Sequence, residues 1–161
     1  MFANLGAAYG TAKSAVGISS LAVIDSSKIF QGLIPIIMAG ILGIYGVIIS
    51  VIANAQIKSA GNDFGDKKGY TFLGAGLSCG LSALAAGLAI GVAGDAGVRA
   101  YAQTDGIFVG MILILIFAEA IGLYGLIVAI IMLFWVMWNV TETKWINMKD
   151  YVWYCYHLGL G

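Results

Sequence analysis

The sequence predicts an all-α integral membrane protein of four transmembrane helices, arranged as two duplicated hairpins. Three observations lead to this prediction. The 161 residues are 61% hydrophobic and only 10% charged, whereas a soluble domain carries about 25% charged residues. Short polar stretches divide the chain into four largely apolar segments, each near the roughly 20 residues that a helix needs to cross a bilayer. The second half of the chain also repeats the pattern of the first.

The polar stretches set the order of the segments along the chain. Segments one to four cover about residues 1–24, 29–57, 70–98 and 107–138. We therefore predict a first hairpin at 1–58, a polar loop at 59–69, a second hairpin at 70–138 and a polar, aromatic tail at 139–161. Segment one contains Asn4, Thr11, Lys13 and Ser14 and is marginal by hydropathy alone. Pro35, early in segment two, predicts a bend there.

The two halves of the chain match in their small residues. In segments two and four, IMAGILGIYG at 37–46 matches IFAEAIGLYG at 116–125, which places Gly43 opposite Gly122. In segments one and three, three glycines match three others: Gly6, Gly10 and Gly17 fall opposite Gly76, Gly80 and Gly87. We interpret the match as a duplicated hairpin, and each hairpin enters the membrane from the same side because each has two spans.

Small residues form a stripe along each segment at the helical spacing of about 100° per residue. In segments two and four the stripes include Gly43, Gly46, Gly122 and Gly125. Such stripes allow helix axes to approach closely in lipid. They suit a single four-helix bundle and also many copies packed side by side in a closed ring, and the pattern leaves both open.

One carboxyl lies in the middle of segment four. Glu119 is the only charged residue of ILILIFAEAIGLYGLIVAIIM, residues 112–132, and its counterpart in the first half is Gly40. A charged side chain at the bilayer centre costs about 2.5–3.5 kcal/mol on insertion scales, so such a residue is functional by default. Lipid favours its neutral, protonated form, whereas water or a cation favours the ionised form. A proton carrier requires this behaviour, and the alternative is a glutamate that only hydrogen-bonds between helices.

Three stretches of the sequence resemble a known family. LGAAYGTAKSAVGI, IPIIMAGILGIYG and IFVGMILILIFAEAIGLYGLI resemble the proteolipid c subunit of the eukaryotic vacuolar-type proton-translocating ATPase, over about residues 3–131. The resemblance implies a rotor ring built from copies of the chain and related proteolipids, with segments one and three inside and two and four outside. Relative to the family pattern, the chain has a shortened N-terminus and an extended C-terminus.

The resemblance also implies a function and a set of partners. Glu119 matches the proton-binding glutamate of the family. The ring is then expected to turn against the a subunit of the membrane sector and to meet the peripheral stalk subunits, in the vacuolar or another endomembrane. Gly40, Gly43, Gly122 and Gly125 are expected to pack the helices around the site.

Composition and motifs exclude several other classes of protein. The net charge is zero without a basic block, so we expect the lipid bilayer and not nucleic acid as a partner. No GxxxxGK[ST] motif occurs, so we expect no ATP site in this chain. We also expect no catalytic residue and no cofactor, and no metal because His157 is the single histidine and has no partner ligands. Two alternatives stay open: a self-contained proton-coupled antiporter of four helices, and a structural or non-functional proteolipid variant.

Overall fold

The regular structure of the described residues is helical throughout, which confirms the predicted all-α class. The computed structural model describes residues 1–60 and 66–157, with side chains at 1–58, 68–136 and 138. The elements are α1 (Phe2–Ile24), a 3-10 turn (Ser26–Lys28), α2 (Ile29–Gly32), α3 (Ile34–Ala60), α4 (Asp66–Gln103) and α5 (Ile107–His157).

Among the described residues, three stretches of helix are long and apolar enough to cross a membrane, and α1 is a fourth long helix. The three stretches are Ser26–Lys58, Lys68–Gln103 and Ile107–Val136. The 23 residues of α1 include polar side chains, so α1 is not among the three stretches selected by hydropathy. The chain is therefore an integral membrane protein with four long helices, as predicted.

The predicted bend at Pro35 is a break between α2 and α3. Because α3 begins at Ile34, Pro35 lies in its first turn, where the missing backbone N–H of proline costs no hydrogen bond. The carbonyl of Leu33 accepts hydrogen bonds from the N–H groups of Ile36 and Ile37 at 3.1 and 3.2 Å. The helix therefore restarts directly after the break.

The four long helices form two layers. α1 packs along α4 in one layer, while α3 packs on α1 and α5 packs on α4 in the other, with further contacts between α3 and both helices of the second hairpin. Glycines bring the first layer together: a Cβ added at Gly6 would lie 2.5 Å from the carbonyl oxygen of Ala83, and one at Gly91 would lie 3.1 Å from the Cα of Gly10. Backbones approach closely here because no side chain separates them.

A single register relates the two hairpins, and this corrects the alignment predicted for α1 and α4. A Cβ added at Gly43 would lie 3.7 Å from the Cβ of Ala7, and one at Gly122 would lie 3.4 Å from the Cβ of Ala86. Ala7 of α1 therefore corresponds to Ala86 of α4, and these two residues are as far apart in the sequence as Gly43 and Gly122. The predicted alignment, with Gly6 opposite Gly76, is wrong. Small residues recur so often in α1 and α4 that glycine spacing alone matches in more than one register.

Two helix boundaries differ from the predicted ones. α3 runs to Ala60 and α4 begins at Asp66, so helix occupies much of the predicted loop at 59–69; residues 61–65 lie outside the described part of the chain. α5 continues to His157 through most of the predicted tail at 139–161. No glycine or proline stands between Gly125 and Gly159 to end this helix.

Candidate functional site

Glu119 and Tyr45 meet at the seam where α3 packs against α5. The hydroxyl of Tyr45 donates a hydrogen bond to Oε1 of Glu119 at 3.0 Å. Both side chains are half-buried. A phenol hydroxyl is able to donate to a carboxyl in either protonation state, and the bond is the stronger one when the carboxyl is ionised. The site thus joins one ionisable group from the second hairpin to one donor from the first.

The surroundings of Glu119 divide into a packed side and an open side. On α5, Leu115 and Ala118 are buried in the core, whereas Phe117 and Ile121 are exposed. Glu119 lies twelve residues into α5, about 18 Å along it. In a bilayer, that depth lies among acyl chains or neighbouring protein. The carboxyl therefore stands half-buried at the edge of the packed core.

One of the four predicted packing glycines lies directly beside the Glu119 and Tyr45 pair. A Cβ added at Gly122 would lie 2.7 Å from Cδ2 of Leu42 and 3.9 Å from Cδ2 of Tyr45. Gly122 is one turn beyond Glu119 on α5. Its missing side chain lets α3 approach α5 closely enough for the Tyr45 hydroxyl to reach the carboxyl.

The other three predicted glycines lie away from the pair. A Cβ at Gly125 would lie 2.8 Å from the carbonyl oxygen of Ser78, so this glycine packs α5 against α4. A Cβ at Gly43 would lie 3.2 Å from Oδ1 of Asn4, so this glycine packs α3 against α1. A Cβ at Gly40 would meet no heavy atom of the described residues within 4 Å. Gly40 therefore has open space beside it in the single chain.

Sequence reasoning missed Tyr45 as the partner of Glu119. The available signal was the repeat, since Tyr45 and Tyr124 occupy the same position in the matching motifs GIYG and GLYG. A hydroxyl retained in both halves of an apolar repeat is a natural donor for Glu119, the only carboxyl within the two matching stretches 37–46 and 116–125. Pattern alone does not tell which of the two tyrosines faces the carboxyl.

A second polar cluster, apart from Glu119, joins α1 and α4. Lys13 of α1 places its Nζ 3.4 Å from Oδ2 of Asp95 on α4. The Nε of Arg99 donates to Oδ1 of Asp95 at 2.8 Å. Asp95 is thereby paired with two cations, which offsets the cost of placing charge inside a helix bundle. Among the described residues, no group of three or more His, Cys, Asp or Glu is arranged to hold a metal ion.

The fold and the site together define a class of protein: a small, duplicated, glycine-striped helical membrane protein with a carboxyl at a helix seam. The family model of the ATP synthase C subunit matches residues 1–53 and 73–132. The chain therefore belongs to the ATP synthase C subunit family.

Curated relatives make the comparison more specific. The 16 kDa proteolipid c subunit of the V-type proton ATPase of Ascaris suum is 56% identical over 132 residues, which is 82% of this chain and 82% of the relative. The proteolipid c subunit numbered 2 in Caenorhabditis elegans is 55% identical over the same shares of both chains. The corresponding proteolipid of Homo sapiens is 57% identical over 133 residues, 82% of this chain and 83% of the relative. The resemblance stated from the sequence is confirmed.

Proposed function

We propose that the chain is a rotor subunit of a V-type ATPase and carries protons across the membrane on Glu119. The observation that carries this proposal is the hydrogen bond of 3.0 Å between Tyr45 and Glu119 at a helix seam near the middle of a span. The names of the relatives, V-type proton ATPase proteolipids, support the complex in which the chain works. The same comparison supports the membrane of an acidic organelle, such as the vacuole, as its location.

Proton transport at this site needs only the gain and loss of one O–H bond. The carboxylate of Glu119 takes up a proton from an aqueous path and becomes neutral. In that form it faces acyl chains without the cost of a charge in lipid. It loses the proton again where water or a cation of a partner subunit favours the ionised form. Tyr45 orients the carboxyl throughout, because its hydroxyl donates to either form.

The partners follow from this cycle. Copies of the chain and related proteolipids form the moving ring, and the a subunit of the membrane sector supplies the two aqueous paths and the cation between them. The peripheral stalk subunits couple the ring to ATP hydrolysis in other chains. The bilayer itself seals the neutral carboxyl from water between the two paths.

The test measures ATP-driven acidification of vacuolar vesicles from cells that lack their own proteolipid c subunit. We expect the chain to restore acidification and Glu119→Gln to abolish it, because an amide of the same shape binds no proton. Asp105→Asn is the control: it removes a carboxyl in the loop before α5 that is 78% exposed and paired with Lys28. An exposed ion pair contributes little to stability, so this variant should leave acidification intact. Acidification by the Glu119→Gln chain at the normal rate would refute the proposed carrier.

Vesicles that contain only the purified chain separate this function from the antiporter alternative. A self-contained antiporter moves protons when it is purified and placed in vesicles with a substrate gradient and no ATP. A rotor subunit alone does not, because it needs the paths and the drive of its partners. Substrate-coupled proton movement by the purified chain would therefore favour the antiporter.

A further inference from the structure

The helix α1 begins partway along the bundle. A Cβ added at Gly80 of α4 would lie 3.2 Å from the Cβ of Phe2, and one added at Gly46 of α3 would lie 2.9 Å from the Cβ of Ala3. The first residues of α1 are therefore level with Gly46 and Gly80. Both α3 and α4 extend about 21 Å beyond this level, toward the loop that joins them. Over that distance α1 does not accompany them.

A cavity of about 210 Å³ lies beside the start of α1, between α3 and α4. Ile49 and Ala53 of α3 and Phe72 of α4 supply apolar walls, and Gly76 leaves room because it has no side chain. Ile49 and Cys79 also belong to a buried cluster that α3 and α4 form with α5. The cavity therefore lies on the side of α3 and α4 that faces away from α5.

The position of the cavity along the helices places it among acyl chains. Its walls belong to two of the membrane-spanning stretches, Ser26–Lys58 and Lys68–Gln103. The α3 residues that line it lie between Gly46 and Ala53, so none is more than about 12 Å along the helix from Tyr45. Tyr45 binds Glu119 near the middle of a span, and the hydrocarbon core extends about 15 Å to either side of its centre.

The walls of the cavity offer water few partners. Among the residues that line it, Ser50 is the only one with a side-chain oxygen or nitrogen. Its hydroxyl already donates to the carbonyl oxygen of Val47 at 2.8 Å. The thiol of Cys79 is a weak donor and a weak acceptor. A buried water needs about 2–4 polar partners, and an apolar cavity of about 150 Å³ is known to stay dry and to accept apolar ligands.

We propose that an acyl chain of a phospholipid fills this cavity, in the place that α1 takes farther along α3 and α4. The headgroup level is marked by Lys58 and Lys68, at the ends of the two stretches that form the walls, because lysines near the end of a span keep their ammonium groups among the lipid phosphates. Lys58 lies about 8 Å along α3 from Ala53. A chain that descends from this level reaches the cavity directly.

The size of the cavity favours an acyl chain over a helix of another protein. A helix with its side chains is about 10–12 Å across, which is too wide for a space of about 210 Å³. An acyl chain is a single file of methylene groups and is the most abundant apolar group in the bilayer. It gains dispersion contacts with walls that an empty cavity would leave without partner atoms.

Photolabelling tests this proposal on the purified chain in phosphatidylcholine vesicles. A small fraction of the lipid carries a diazirine in one acyl chain, and mass spectrometry locates the adducts after irradiation. We expect adducts on Ile49 and Phe72 in the cavity and on Phe117, which is 73% exposed on α5 and reports general contact with lipid. Adducts on Phe117 without any on Ile49 or Phe72 would overturn the proposal.

Gly76→Phe separates the cavity from the rest of the lipid-facing surface. A Cβ at Gly76 meets no heavy atom of the described residues within 4 Å, so the ring enters the cavity without displacing the backbone. We expect adducts on Ile49 and Phe72 to fall severalfold and those on Phe117 to stay. Gly110→Phe is the matched control: a Cβ there also meets no described atom within 4 Å, and Gly110 lies on α5, outside the cavity. Equal adducts on Ile49 and Phe72 in the two variants would contradict the proposal.

Cys79 gives a test that leaves the cavity unchanged. It lines the cavity and is 2% exposed, and Cys155→Ser makes it the only thiol of the chain. A charged methanethiosulfonate reacts from water with the thiolate, so we expect no modification of Cys79 in lipid vesicles. Asp105→Cys in the same background should take up one reagent per chain, because Asp105 is 78% exposed. Fast modification of Cys79 would mean that water fills the cavity and would refute the proposal.

Discussion

At the scale of single residues, the site joins one group from each hairpin. Glu119 supplies the ionisable oxygen and Tyr45 supplies the donor, at 3.0 Å. Glu119 was identifiable from the sequence because a carboxyl in the middle of an apolar span is costly in lipid. Tyr45 was not, because hydropathy shows only which helix a residue belongs to and not which face it presents. The repeat narrowed the donor to two tyrosines, and the packing of α3 against α5 selects one of them.

Tyr45→Phe tests the role of the hydroxyl. The substitution keeps the ring that packs beside Gly122 and removes the hydrogen bond to Glu119. A net hydrogen bond is worth about 0.5–1.5 kcal/mol, which corresponds to a change of about 2- to 10-fold. We expect ATP-driven acidification to fall by that factor while the amount of chain in the membrane stays the same.

Tyr124→Phe is the matched control for this prediction. Tyr124 is exposed in the single chain. The first half of the repeat has Gly40 where the second half has Glu119, so it offers Tyr124 no carboxyl. Its phenylalanine variant should acidify vesicles at the normal rate. Equal losses in the two variants would show that the hydroxyl acts through general packing and not through Glu119.

At the scale of the helices, most of the fold followed from the sequence. Four apolar segments became four long helices because lipid offers the backbone no hydrogen-bond partner other than itself. The register of α1 against α4 did not follow, since the close approach depends on which small residues meet and glycines recur throughout both helices. The end of α5 was also missed, because a polar composition after Trp138 does not stop a helix without a glycine or proline.

Gly87→Ala tests how closely α1 and α4 pack. A Cβ at Gly87 would run into the backbone of Gly6, and backbone does not move aside as a side chain does. We expect the substitution to lower the free energy of unfolding by about 1–3 kcal/mol, the usual cost of overpacking. Thermal unfolding of the detergent-solubilised protein measures this change.

Gly76→Ala on the same helix should have the opposite effect. Gly76 lines a cavity of about 210 Å³ beside the start of α1, and an added Cβ meets none of the described atoms within 4 Å. Alanine favours a helix over glycine by about 1 kcal/mol, so the protein should become slightly more stable. If the two substitutions change stability equally, the close approach of α1 and α4 does not contribute to stability as described.

At the scale of the whole molecule, the duplication explains how each hairpin packs and why the two hairpins differ at one position. Each hairpin packs its two long helices in the same way. In the first hairpin Gly43 lies against Ala7, and in the second the corresponding Gly122 lies against the corresponding Ala86. The second hairpin has a carboxyl at Glu119, whereas the first hairpin has Gly40 at the corresponding position. The described part of the chain therefore has four long helices and one carboxyl in the middle of a span.

The most direct test of the carrier is the protonation of Glu119 itself, measured by infrared spectroscopy of the protein in lipid vesicles. We expect a carbonyl band of a protonated carboxyl that is absent from Glu119→Gln. The band should shift when the vesicles are transferred to D₂O, because the proton exchanges with water. The absence of this band from the unsubstituted protein would mean that Glu119 is ionised in the membrane. A band that does not shift would mean that its proton never leaves, and either result would contradict transport on this residue.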